Sequence, residues 1–150
     1  MVGPVVKISE EDLPKRPNIC YLGGKTYDEL PAYLSGWDVA LMPFAMNEST
    51  QFISPTKTPE YLAGGKPVVS TPIGCQGLDL VDDVDAVVRE GWSEFAEAVS
   101  NLLADAPKRG SIGERARATV EERFSWTAVA DRAYESYEAL SASVSAPSAR

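Results

Sequence analysis

The chain has 150 residues, 44% of them apolar, a formal net charge of −8 and no histidine. That length supports one hydrophobic core and hence one domain, while the acidic balance argues against nucleic acid or an anionic membrane as the main partner, since both call for a basic face. Without histidine the commonest general base and the usual zinc ligand are gone. Cys20 and Cys75 have no metal-ligand spacing and read as incidental thiols. No apolar run approaches the ~18 residues of a membrane span, and no secretory signal opens the chain, so a cytoplasmic protein is expected.

In chain order, residues 2–8 form a β-branched run that predicts a first strand, and 9–17 is a charged, proline-bounded loop. Residues 19–22 predict a second strand, closed by Gly23 and Gly24. Thr26 and Glu29 fit a capping box for a helix that Gly36 ends. Residues 39–42 predict a third strand, followed by a loop carrying Asn47, Glu48 and Phe52.

The next stretch, 54–71, holds most of the functional signal. Ser54 and Thr58 both suit a helix N-cap, each followed by proline. Pro59 favours Thr58, because five residues into a helix it would lose a bond and clash with the preceding turn. A helix start attracts an anion through its free N–H groups, and Lys57 adds a full charge. Glu60 on the same turn suits a diol. Gly64 and Gly65 stop the helix, and 67–70 is a fourth strand, apolar as expected when both sheet faces are covered.

Residues 86–88 predict a fifth strand. Asp83-Val84-Asp85 has a DxD form, more often a solvated acidic turn than a metal site, so no metal is expected. Three helices follow: one with Phe95, Val99, Leu102 and Leu103 on its apolar face, one capped by Ser111, and one capped by Ser125 with a Trp126, Val129, Ala133 and Tyr137 stripe. The expected fold is α/β: a Rossmann-like, doubly wound parallel sheet of about five strands, with helices clustered at the C-terminal end and ligands at the carboxyl ends of the strands. The domain is expected over 1–140, with a disordered tail over 141–150.

The run 56–71, together with Ile73-Gly74, Gly77-Leu78, Trp37-Asp38-Val39 and Glu122-Arg123-Phe124-Ser125-Trp126, resembles the C-terminal, donor-binding domain of retaining GT-B glycosyltransferases (the glycosyl transferases group 1 family), from its second strand onward. The resemblance implies binding of the nucleotide-diphosphate part of a UDP- or GDP-linked sugar, for transfer of a hexose with retention to a sugar or lipid-linked acceptor. It makes Glu60 the ribose ligand and sets Ser54, Thr56 and Lys57 against the phosphates. Phe52 stands where many members carry a glutamate that contacts the donor sugar, which leaves Asn47 and Glu48 as candidates. No metal or other cofactor is implied, and no catalytic residue is assigned. The same resemblance sets the first strand-helix unit and the acceptor-binding domain outside this chain, predicts that the chain alone is inactive, and leaves open a peripheral position at the inner membrane face for the full-length protein. Two rival readings are a non-catalytic nucleotide-binding or protein-interaction module, self-associating through open sheet edges, and a sugar-nucleotide epimerase.

Overall fold

The structure is a computed structural model that describes residues 1–6 and 8–145. It divides into two compact units, Met1–Gly36 and the chain from Trp37 onward.

In the first unit two extended segments meet through Gly3 N–H on the Gly23 carbonyl and Leu22 N–H on the Met1 carbonyl, both 2.9 Å, and through the N-terminal ammonium on the Cys20 carbonyl at 2.5 Å. Neither becomes a strand, so the strands expected at 2–8 and 19–22 are absent among the described residues; Lys7 lies outside them. The backbone explains it. Gly3 and Gly23 both adopt positive φ (141° and 66°), Pro4 donates no bond, and Val6 and Ile8 are exposed, so no buried face fixes a register. The capping residues do come together: Thr26 N–H and Oγ1 both donate to Glu29 Oε2, at 2.9 and 2.8 Å. Those bonds hold the Glu29 carboxyl below its ordinary range. Helix α1 (Leu30–Ser35) starts only after Glu29, with Pro31 in its first turn where no donor is needed, and Gly36 ends it.

The second unit contains β1 (Ala40–Met42), α2 (Lys57–Ala63), β2 (Val68–Ser70), a 3-10 turn over Pro72–Cys75, β3 (Val87–Val88), α3 (Trp92–Ala104), α4 (Ala106–Phe124) and α5 (Trp126–Ser145). The three strands form one parallel sheet in the order β1-β2-β3. The sheet therefore has three strands among the described residues rather than five. Its centre is sandwiched: Val68 packs on one face with Leu62 of α2 and Ala116 and Val120 of α4. Val69, the next residue, packs on the other face with Phe95, Ala98 and Leu102 of α3 and Ile112 of α4. Burial on both faces accounts for the unbroken apolar character of β2.

Helix α2 stops as its Gly-Gly pair predicts. Gly65 takes φ 65°, its N–H bonds the Leu62 carbonyl at 2.9 Å, and the Lys66 N–H bonds the Tyr61 carbonyl at 3.1 Å, the bond pair of a Schellman end. There α2 meets α4 so closely that a Cβ on Gly113 would collide with the Gly65 carbonyl.

Three expectations for the C-terminal helices change. The cap of α4 is Asp105, whose Oδ1 accepts from Lys108 N–H at 2.9 Å; Ser111 lies inside the helix because Pro107 sits in its first turn, where proline is tolerated. Leu103 is exposed, and Ala98 takes its expected place in the core. Ser125 does cap α5, with Ala128 N–H on its Oγ at 3.2 Å, but the stripe of Trp126, Val129, Ala133 and Tyr137 faces outward rather than packing. The expected tail from 141 begins inside α5, and residues 146–150 lie outside the described ones.

Candidate functional site

The loops that leave the carboxyl ends of β1 and β2 are stitched to each other. Thr71 donates twice, from N–H to the Met42 carbonyl at 3.2 Å and from Oγ1 to the Phe44 carbonyl at 2.8 Å. Gln76 Nε2 reaches the Gln51 carbonyl at 2.9 Å, and Ser70 Oγ bonds the Thr71 carbonyl at 2.7 Å. Helix α2 is fastened to the same assembly by its second residue: the buried Thr58 Oγ1 donates to the Gly74 carbonyl. Gly74 is required there, since a Cβ would collide with Ser70 Oγ and press on Met42.

Thr58 is thus not the cap. The helix opens at Lys57 with Thr56 at the cap position and no side-chain cap bond. Pro59 causes no loss, because the first four N–H groups of a helix have no partner in it. Since α2 has seven residues, its dipole is small, and side chains carry the chemistry of this turn. Lys57 and Glu60 are exposed three residues apart, which places them on one side of the first turn. Neither side chain forms a hydrogen bond or ion pair among the described residues. Ser54 and Thr56 are exposed on the chain leading into the helix. Behind them, burial, with Glu60 adding to it, raises the Tyr61 phenol.

Asn47 is drawn into its own loop. Its Oδ1 accepts from Ser49 N–H at 2.9 Å, its N–H bonds Thr50 Oγ1 at 3.1 Å, and its carbonyl accepts from Thr50 N–H at 3.0 Å. Glu48 is exposed beside it, and Phe52 is largely exposed. Sequence reasoning missed Thr58, Ser70, Thr71 and Gly74 as the frame of this region. The signal available was Ser-Thr-Pro directly after an apolar strand, where a polar turn closes the carboxyl end.

The DxD carboxylates separate. Asp83 pairs with Arg89 at 2.9 Å and Lys108 at 3.6 Å, which lowers its carboxyl, the Arg89 bond first. Asp85 is buried, accepting from Thr119 Oγ1 at 2.7 Å and Val81 N–H at 2.9 Å. No group of three or more metal-binding side chains occurs among the described residues. Cys20 and Cys75 are free thiols, and burial pushes the Cys75 thiol up, which keeps it protonated. Among the described residues no helix is long and apolar enough to cross a membrane.

The "Glycosyl transferase-like" family model matches residues 2–135. The chain belongs to this glycosyl transferase family. A structural match points the same way: the C-terminal domain of a glycosyl transferase group 1 family protein, LpcC of Francisella tularensis, superposes with a TM-score of 0.58 at 17% identity, over 69% of this chain and 54% of that one. The fold is accordingly that of the GT-B C-terminal, Rossmann-like domain. Among curated glycosyltransferases, the D-inositol 3-phosphate glycosyltransferase of Corynebacterium aurimucosum is 30% identical over 112 residues, 73% of this chain and 25% of that protein. TuaH of Bacillus subtilis (strain 168), named as a teichuronic acid biosynthesis glycosyltransferase, is 36% identical over 64 residues, 43% of this chain and 16% of that protein. This glycosyltransferase domain therefore spans a quarter or less of the curated relatives it matches.

Proposed function

We propose that this domain binds the nucleoside-diphosphate part of a UDP- or GDP-linked sugar donor, for transfer of a hexose with retention to a sugar or lipid-linked acceptor bound elsewhere. The observation that carries the reading is the pair Lys57 and Glu60: both exposed, both with side chains that have no partner among the described residues, on a turn that the Thr58 bond to Gly74 holds in place. A cation and a carboxylate left open side by side suit a ligand with an anionic and a hydroxyl-bearing part.

In this role the Lys57 ammonium opposes the charge that builds on the diphosphate as it leaves, and Ser54 and Thr56 donate hydroxyl hydrogen bonds to its oxygens. The Glu60 carboxylate accepts from the ribose hydroxyls and fixes the nucleotide along the loops. Glu48, and the Asn47 amide nitrogen not engaged with Ser49, face the sugar. Fixing a donor in one orientation is itself a catalytic contribution, and the chain alone, without an acceptor site, turns nothing over.

The test compares a nucleoside diphosphate with its 2′,3′-dideoxy analogue by titration calorimetry. A charge-assisted bond is worth about 1.5–3 kcal/mol, roughly tenfold or more in Kd. Wild type is expected to favour the ribonucleotide by that factor and Glu60→Ala to show no preference. Equal discrimination in both proteins removes Glu60 from the ribose site.

A further inference from the structure

The segment that leads into α2 is fastened at both ends to one short turn. At one end the Gln51 carbonyl accepts from Gln76 Nε2 at 2.9 Å, and at the other Thr58 Oγ1 donates to the Gly74 carbonyl. Gly74 and Gln76 are two residues apart at the end of the 3-10 turn, ~4 Å of rise. The six residues between the anchors, 52–57, therefore form a closed loop. Its first and last members, Phe52 and Lys57, each stand one residue from an anchor. Pro55 is buried inside the loop, whereas Phe52, Ser54, Thr56 and Lys57 are exposed. The backbone on either side of Phe52 is held as well, by Gln51 N–H on the Asn47 carbonyl and Ile53 N–H on the Thr50 carbonyl, both 3.1 Å. A fixed main chain thus presents an aromatic ring that is 87% exposed.

The order of side chains along this stretch sets the order of the ligand's parts. Glu60 lies one turn into α2, Lys57 opens the helix, Thr56 and Ser54 precede it, and Phe52 stands beyond them. On the donor-binding reading, on which this inference rests, the ribose lies at Glu60 and the diphosphate at Lys57. The group next in line is the hexose, and it meets Phe52. We infer that the Phe52 ring lines the hexose subsite and makes it selective for a neutral hexose over a hexuronic acid. The face of an aromatic ring is negative, so it packs against the C–H bonds of a pyranose face and repels a carboxylate. Glu48, exposed on the same side of α2 in the chain, adds a like charge. Lys57 is engaged by the diphosphate and leaves a uronate without a counter-charge.

Titration calorimetry of the whole chain with UDP, UDP-glucose and UDP-glucuronic acid, and with GDP, GDP-mannose and GDP-mannuronic acid, tests this selectivity. In the series that binds, wild type is expected to hold the neutral sugar nucleotide more tightly than the bare diphosphate or the uronate. Phe52→Ala is expected to weaken the neutral sugar nucleotide roughly two- to tenfold with the bare diphosphate unchanged, and Phe52→Trp to keep the preference. An equal loss for the bare diphosphate would put the ring against the nucleoside and overturn the inference, as would a Phe52→Ala chain with wild-type affinities or a uronate held as tightly as the hexose. Those results leave the donor site at Lys57 and Glu60 standing, whereas a wild-type chain that binds none of the six overturns both.

Discussion

The hydroxyl of Thr58 lies fully buried and joins the first turn of α2 to the turn after β2. Replacing it by valine keeps the shape and leaves the Gly74 carbonyl without a donor, a loss of about 1–3 kcal/mol. Urea unfolding is expected to show that loss for Thr58→Val and a smaller one for Thr58→Ser, and nucleotide affinity should fall with it although residue 58 touches no ligand. Helix-propensity rules made Thr58 a cap because threonine before proline usually is one; a bond to a residue sixteen positions away leaves no local trace. The roles expected of Lys57 and Glu60 rest on the likeness of the whole run 56–71 to the family's donor-binding segment, not on the spacing of the two residues. Asp83 adds a pH dependence to stability. The Arg89 bond holds its folded pKa below the ordinary 3.8, so its contribution is complete above about pH 3.8 and fades as pH falls through the lower folded value. The stability difference between wild type and Asp83→Asn, followed by urea unfolding against pH, is expected to stay constant through neutral pH and to shrink below 3.8. Because Asp83 is largely exposed, the difference is small.

At the scale of elements, the approach of α2 to α4 matters most. The Gly64-Gly65 stop was readable because a left-handed residue at a helix end is a glycine position whatever lies around it. Gly113 was not readable: inside a helix it appears only as a weak spot, and its reason is the Gly65 carbonyl lying against it. Gly113→Ala would raise helix propensity by about 1 kcal/mol, yet here the added Cβ must push α4 off α2, and overpacking costs about 1–3 kcal/mol. A fall in thermal midpoint is expected, and a rise would mean that the two helices do not meet as described. The same logic separates the strands. β2 is buried on both sides and its apolar run marked it plainly, whereas the runs at 2–8 and 19–22 have the residues of strands without a buried face to pair them.

For the whole molecule, the alternation of strands and helices announced a parallel sheet, and its three strands lie in chain order between α2 and α4 on one face and α3 and α4 on the other. The amphipathic stripe of α5 was equally legible, but periodicity tells which side of a helix is apolar and not whether anything packs on it: Trp126, Tyr137 and Leu140 remain exposed. The family likeness runs through residue 135 and includes the first half of that helix. The proposed donor site places a nucleotide-sugar at Lys57 and Glu60. The most direct measurement is the thermal midpoint of the folded chain with UDP, GDP, ADP and their sugars. A ligand at a hundred times its Kd adds about 2.7 kcal/mol of stability. One nucleoside diphosphate and its sugars are expected to raise the midpoint, and Lys57→Ala and Glu60→Ala to lose that response while keeping the unliganded midpoint. A folded chain whose midpoint moves with none of them contradicts the claim.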